Sequence, residues 1–311
     1  MNSRIGKNYF IKCLLPVLWL GCQAPRGGED SREANLYRSQ DFTAPGEFTS
    51  GIEGPATDGE GNIYVVNYGR EGTIGKVNRD GKSSLFINLP DRSTGNGIRL
   101  DNQGNMFVAD YTGHNVLKIN VFLKEIDVHV HSDGMNQPND LAISKTGILY
   151  ASDPDWQAST GNLWRIDTDG SLTLLEDNMG TTNGLELSPD EKILYVNESV
   201  QLKVWAYDLS PAGELSGKRL FIDFPDFGMD GMRCDVKGNI YITRHGKGTV
   251  AMVSPGGKLL REIRLKGKKP SNITFGGEDG KTAYVTLQDR GNLESFRVEY
   301  PGREWKLRQK Q

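Results

Sequence analysis

A single pattern recurs six times along the 311 residues, at a period near 43. Each copy opens on a polar residue, passes through a short apolar segment into an Asp/Gly-rich turn, and continues into an apolar segment bearing an aromatic. The opening residues are Glu53, Asn96, Asn139, Asn183, Asp230 and Asn272, spaced by 43, 43, 44, 47 and 42 positions. Tyr64, Phe107, Tyr150, Tyr195, Tyr241 and Tyr284 follow them by 11 or 12 positions. A repeat of this length means a unit that buries its apolar face only against its neighbours, which restricts the chain to a solenoid or a ring.

A second hairpin follows the first in each unit. Residues 163–166 and 172–175, for example, flank the turn Asp167-Thr168-Asp169-Gly170. Glycine is abundant (38 residues) and concentrates at turn phases such as Gly61, Gly104, Gly147, Gly238 and Gly280, where hairpins need positive φ. Six units of four antiparallel strands predict an all-β, six-bladed β-propeller filling residues 41–311 as one domain. Closing the ring requires a strand from the other end of the chain, and residues 41–51 are expected to be the outermost strand of the last blade. The 37 basic and 40 acidic residues, a net charge of −3, leave no basic face for nucleic acid.

The opening residues form a column of side-chain oxygens: two carboxylates, Glu53 and Asp230, and four amides. At the start of each innermost strand they would ring the central channel. Hard oxygen donors suit Ca²⁺, with Mg²⁺, Mn²⁺ or Zn²⁺ as alternatives, and two carboxylates balance one divalent charge. The alternative is that Asn and Asp at strand entry only satisfy backbone amides, a reading that six acid and amide side chains at one phase disfavour. Trp156, after Asp153-Pro154-Asp155, and His245 occupy places that could reach the channel mouth. His129 and His131 read as the polar face of an outer strand, and Cys234 as a small core residue.

The first 22 residues have a different character. Arg4, Lys7 and Lys12 precede an apolar run over 13–20, and Gly21-Cys22 follows. This order predicts a bacterial export signal, and the ending resembles a lipobox whose Cys22 would be lipidated. Residues 23–40 read as a flexible tether. The expected location is the periplasm or the outer membrane, anchored only by lipid, with the chain as a monomer.

Glu53-Gly54-Pro55, Pro138-Asn139-Asp140, Asn183-Gly184-Leu185, Asp230-Gly231-Met232 and Asn272-Ile273-Thr274-Phe275-Gly276-Gly277 resemble, in order and spacing, the motifs of the gluconolactonase/senescence-marker-protein (SGL, LRE-like) propellers. The resemblance implies a channel cation, usually calcium, held by Glu53, Asn183 and Asp230, with Asn139 added in some members. It also implies hydrolysis of a lactone or related ester. The ion would polarise the carbonyl while a carboxylate activates water. Asp140 is the preferred base and Asp230 the other candidate. Asn96, Asn139, Asn272, Gln137, Trp156 and His245 are the expected substrate contacts. Gln137 stands where sugar-lactone members often carry arginine, which leaves the sugar contact open. Two other readings compete: a phosphotriester hydrolase using the same ion, and a non-enzymatic binding propeller of the NHL type, whose Asp-x-x-Gly-Asn turn recurs at Asp58, Asp101 and Asp235.

Overall fold

A computed structural model describes residues 35–309, together with Met1. The export signal, Cys22 and the tether up to residue 34 lie outside the described residues. Six four-stranded antiparallel sheets follow one another around a central channel, five of them built from four consecutive strands running from the channel outward and the last from three such strands and one from the start of the chain. The innermost strands are Phe48–Thr57, Gly95–Leu100, Leu141–Ile143, Thr182–Leu187, Met232–Cys234 and Pro270–Gly276.

The repeat explains the packing. The phased aromatics Tyr64, Phe107, Tyr150, Tyr195, Tyr241 and Tyr284 are all buried, each in a cluster shared by two adjacent blades. Blades one and two, for instance, enclose Tyr64, Val66, Ile98, Met106 and Val108. Every blade is thus completed by the next, and the ring has no free face. Asp58, Asp101 and Asp235 each accept two backbone amides and an Asn side chain within their turns. That Asp-x-x-Gly-Asn signature therefore serves the hairpin.

The last blade is closed by an N-terminal strand, Gln40–Asp41, paired with Ser295 and Glu294. Closure is as expected, but its boundaries differ. Phe48 pairs with Tyr68 and begins the innermost strand of blade one, so 48–51 belong to the first blade and the closing strand is only two residues long. Residues 35–40, read from sequence as tether, are bound as well: Leu36 bridges Arg297 and the Tyr37 ring packs under Arg261. Cys234 is buried and free, as a core residue. His129 and His131 lie on the outermost strand Ile126–His131. A short helix that the repeat does not predict, Arg303–Arg308, packs against the channel end opposite the column. Among the described residues no helix is long and apolar enough to cross a membrane.

Candidate active site

The column forms at the start of the innermost strands because the pairing there is irregular. Register shifts interrupt the ladders between Glu53 and Ala56, Gly95 and Ile98, Thr182 and Leu185, and Pro270 and Ile273. A bulge bends the strand and re-aims a side chain. Asn96, Asn183 and Asn272 lie within these irregular stretches, and Glu53, paired with Val66, is flanked by a shift on each side. Glycine after the column residue lets neighbouring blades meet. At Gly54, with φ 58°, a Cβ would sit 1.9 Å from the Asn96 carbonyl oxygen, and at Gly231 it would sit 2.0 Å from Asn272 Cγ.

These strands converge on a cavity of about 630 Å³. Glu53, Asn139, Asn183 and Asp230 form its floor, while Asn96, Trp156 and His245 line it higher up. Asn272 and Gln137 do not reach it. Asn272 lies just beneath, donating from Nδ2 to Glu53 at 2.9 Å and to Asp140 at 3.3 Å. Gln137 uses its backbone amide to donate to Asp153, a buried carboxylate that also holds Trp164 Nε1 at 2.9 Å. A second cavity of about 590 Å³ lies between blades one and two. Of its acids Asp58, Glu60 and Asp101, the two aspartates are already committed to their turns.

The electrostatics of the floor are unbalanced. Burial, reinforced by the charge of Asp140, pushes the Glu53 carboxyl up to about 7. Burial and then the charges of Glu53 and Asp140 hold the Asp230 carboxyl well above the usual carboxylate range. Asn183 donates from Nδ2 to Ser199 at 3.1 Å, and its buried Oδ1 has no hydrogen-bond donor. A cation would relieve both defects at once, since it needs anionic and neutral oxygens and donates no proton. The residues therefore fit a hard divalent ion held by Glu53, Asn139, Asn183 and Asp230. The set has only two acids, so among the described residues no trio of His, Cys, Asp or Glu gathers as a metal group; its other donors are amides.

Asp140 does not line the cavity. It is buried below the floor, where Arg99 meets it at 3.0 Å and Arg233 at 3.3 Å. Arg99 also pairs with Glu304 of the terminal helix at 3.0 Å, and Arg303 of that helix with Glu186 at 3.3 Å. Charges alternate down the channel from the floor to the helix. The sequence reading missed Arg99, Glu186 and Arg233, yet all three stand three positions after a column residue. A charged residue at that phase of an otherwise apolar strand was the available signal.

Residues 98–289 match the model of the SMP-30/Gluconolactonase/LRE-like region family, more than half of the chain. The chain belongs to this family. It is 28% identical over 270 residues to a gluconolactonase of Zymomonas mobilis, covering 75% of each protein. It is 26% identical over 297 residues to the diisopropyl-fluorophosphatase of Loligo vulgaris, covering 84% of this chain and 93% of that one. Among solved structures, a calcium-binding regucalcin from Agrobacterium tumefaciens shares the fold at a TM-score of 0.73, with 21% identity over 86% of this chain and 94% of the other. Family members thus differ in what they act on or bind.

Proposed function

We propose that this chain is a calcium-dependent lactonase, a hydrolase of cyclic carboxylic esters. The observation that carries the reading is the pair of acids, buried Glu53 and partly buried Asp230, set beside the unpartnered Asn183 Oδ1 at the floor of an open cavity. The likeness to the Zymomonas mobilis gluconolactonase supports a lactone as the substrate.

The bound ion would supply Lewis-acid polarisation of the ester carbonyl. The remaining chemistry belongs to the chain. A base must lie within hydrogen-bond reach of the water it activates. Asp230 lines the cavity, where water has access to its carboxylate, so we assign it the proton of the attacking water. Asp140, engaged below the floor, acts as a positioning residue: it fixes Asn272, which in turn orients Glu53. Attack by water forms the new C–O bond, the ring C–O bond breaks, and the ring oxygen takes the proton from Asp230 and leaves as the hydroxyl of the product acid. Asn197 Nδ2 donates to the backbone carbonyl of Asp230 at 2.6 Å and so holds the loop that carries the base.

The test is hydrolysis of a lactone panel by chelator-treated protein, with and without added Ca²⁺. Activity that returns with Ca²⁺ supports the reading; activity indifferent to chelation overturns its metal part. The likeness to diisopropyl-fluorophosphatase makes a phosphotriester the second substrate to include. Export remains part of the proposal: the basic and apolar start of the sequence with Cys22 would direct the chain out of the cytoplasm. Cys22→Ala should abolish radiolabelled palmitate incorporation, and a wild-type chain that takes up no label would overturn lipidation.

A further inference from the structure

We infer that the substrate is an uncharged lactone carrying an apolar substituent, and not an anionic or polyhydroxylated one; this rests on the lactonase reading above. The walls of the cavity divide by blade. Loops of blades three, four and five supply Trp156, Val200, Leu202, Phe227 and Met229, one contiguous half of the ring. The half formed by blades six, one and two supplies mainly polar groups, among them Gln288, Asn67, Glu71 and Asn96, together with the Tyr111 ring. A lactone seated with its carbonyl on the floor would place its ring oxygen toward the polar half and its substituent against the apolar one.

Three apolar side chains of this wall are left open to water: Trp156, Val200 and Phe227 are 39%, 53% and 50% exposed. Phe227 is the most informative. Its φ is 47°, a conformation that side chains with a Cβ rarely adopt. The conformation is enforced from below. Arg244, fully buried, donates to the Phe227 carbonyl at 3.4 Å and to Asp226 Oδ1 at 2.9 Å, and stacks on the Phe224 ring at 3.7 Å. Gly246 leaves room for the ring, since a Cβ there would lie 3.2 Å from Phe227 Cδ1. This backbone presents a half-exposed aromatic at the mouth, and contact with an apolar ligand would bury the ring.

Charge points the same way. The ionisable groups of the lining are Glu53, Glu71, Tyr111, Asp230 and His245, with no lysine or arginine. Burial pulls the His245 pKa below its ordinary value, which favours the neutral imidazole. Above the floor, where the cation would sit, the lining offers an anionic substituent no basic side chain, and Glu71 adds negative charge to the wall.

The test compares kcat/KM for γ-butyrolactone, its γ-alkyl derivatives of increasing length, glucono-1,5-lactone and a lactone bearing a carboxylate. Kcat/KM should rise about threefold to fourfold per methylene until the wall is covered. The neutral alkyl lactones should exceed both the sugar and the anionic lactone by tenfold or more. Phe227→Ser should flatten the dependence on chain length, and Val200→Ser provides the same reading should the first variant fold poorly. A flat series, or a preference for glucono-1,5-lactone or the carboxylated lactone, overturns this inference and leaves the lactonase reading standing. Hydrolysis of none of the panel overturns both.

Discussion

Glu53 and Asp230 illustrate, at the scale of the residue, a site that the fold would be more stable without. Both are acids whose charged forms are opposed by burial and by a neighbouring carboxylate. Asp230→Asn removes one of these charges. The variant should melt higher than wild type in EDTA, and should lose on the order of 10²- to 10⁴-fold in kcat/KM when Ca²⁺ is present. Thermal melts and lactone assays separate the two effects, and a lower melting temperature in EDTA would contradict the account. Asp140 is the reverse case. Its carboxylate answers two buried guanidiniums, and breaking a buried ion pair on one side costs about 3–5 kcal/mol. Urea unfolding of Asp140→Asn should show a loss of that order.

The innermost strand is the element that makes the site. Its regular part packs the blade, while the bulge at its start turns one oxygen-bearing side chain toward the axis. The spacing of the ring depends on glycine at the next position. Gly231→Ala would drive a methyl into Asn272, which holds Glu53. The variant should lose about 1–3 kcal/mol of stability and bind Ca²⁺ more weakly by titration calorimetry; unchanged affinity would show that Asn272 does not position Glu53. The terminal helix acts from the other end. Glu304 meets Arg99 at 3.0 Å, and Arg99 meets Asp140, so the helix supports the floor through a column of buried charges.

Stability at the scale of the whole molecule is set by closure of the ring and by charge inside it. The Gln40–Asp41 strand is short, yet its hydrogen bonds continue through Phe42 and Thr43 to Leu293, so removing residues 35–43 should lower the melting temperature and expose the last blade to protease. Charge makes stability depend on pH. Burial and the nearby Glu304 push the Glu186 carboxyl up to about 7, against 4.5 for a free side chain. Between those values the folded chain holds a proton that the unfolded chain lacks. The stabilisation is complete below pH 4.5 and is lost as the pH rises through 7, on the order of 1–3 kcal/mol. Glu186→Gln should flatten this decline in melts run from pH 4.5 to 8, and an unaltered slope would assign the decline to other acids.

The number of blades, the strands per blade and the oxygen column were all legible in the sequence, because each is a local property repeated six times. A turn needs Asp and Gly at fixed phases, and an inner strand needs apolar residues between them, whatever the rest of the chain does. Asp140 shows where that legibility ends. Its place beside Asn139 made it a candidate base, and only the arrival of Arg99 from blade two and Arg233 from blade five puts it below the floor instead of in the cavity wall. The two-residue closing strand, the helix under the channel and the apolar half of the mouth are of the same kind. Each depends on contacts between residues far apart in the chain, and a repeat of 43 residues carries no information about them. Periodicity fixes what every blade does alike, and the tertiary structure decides what the blades do together at the axis.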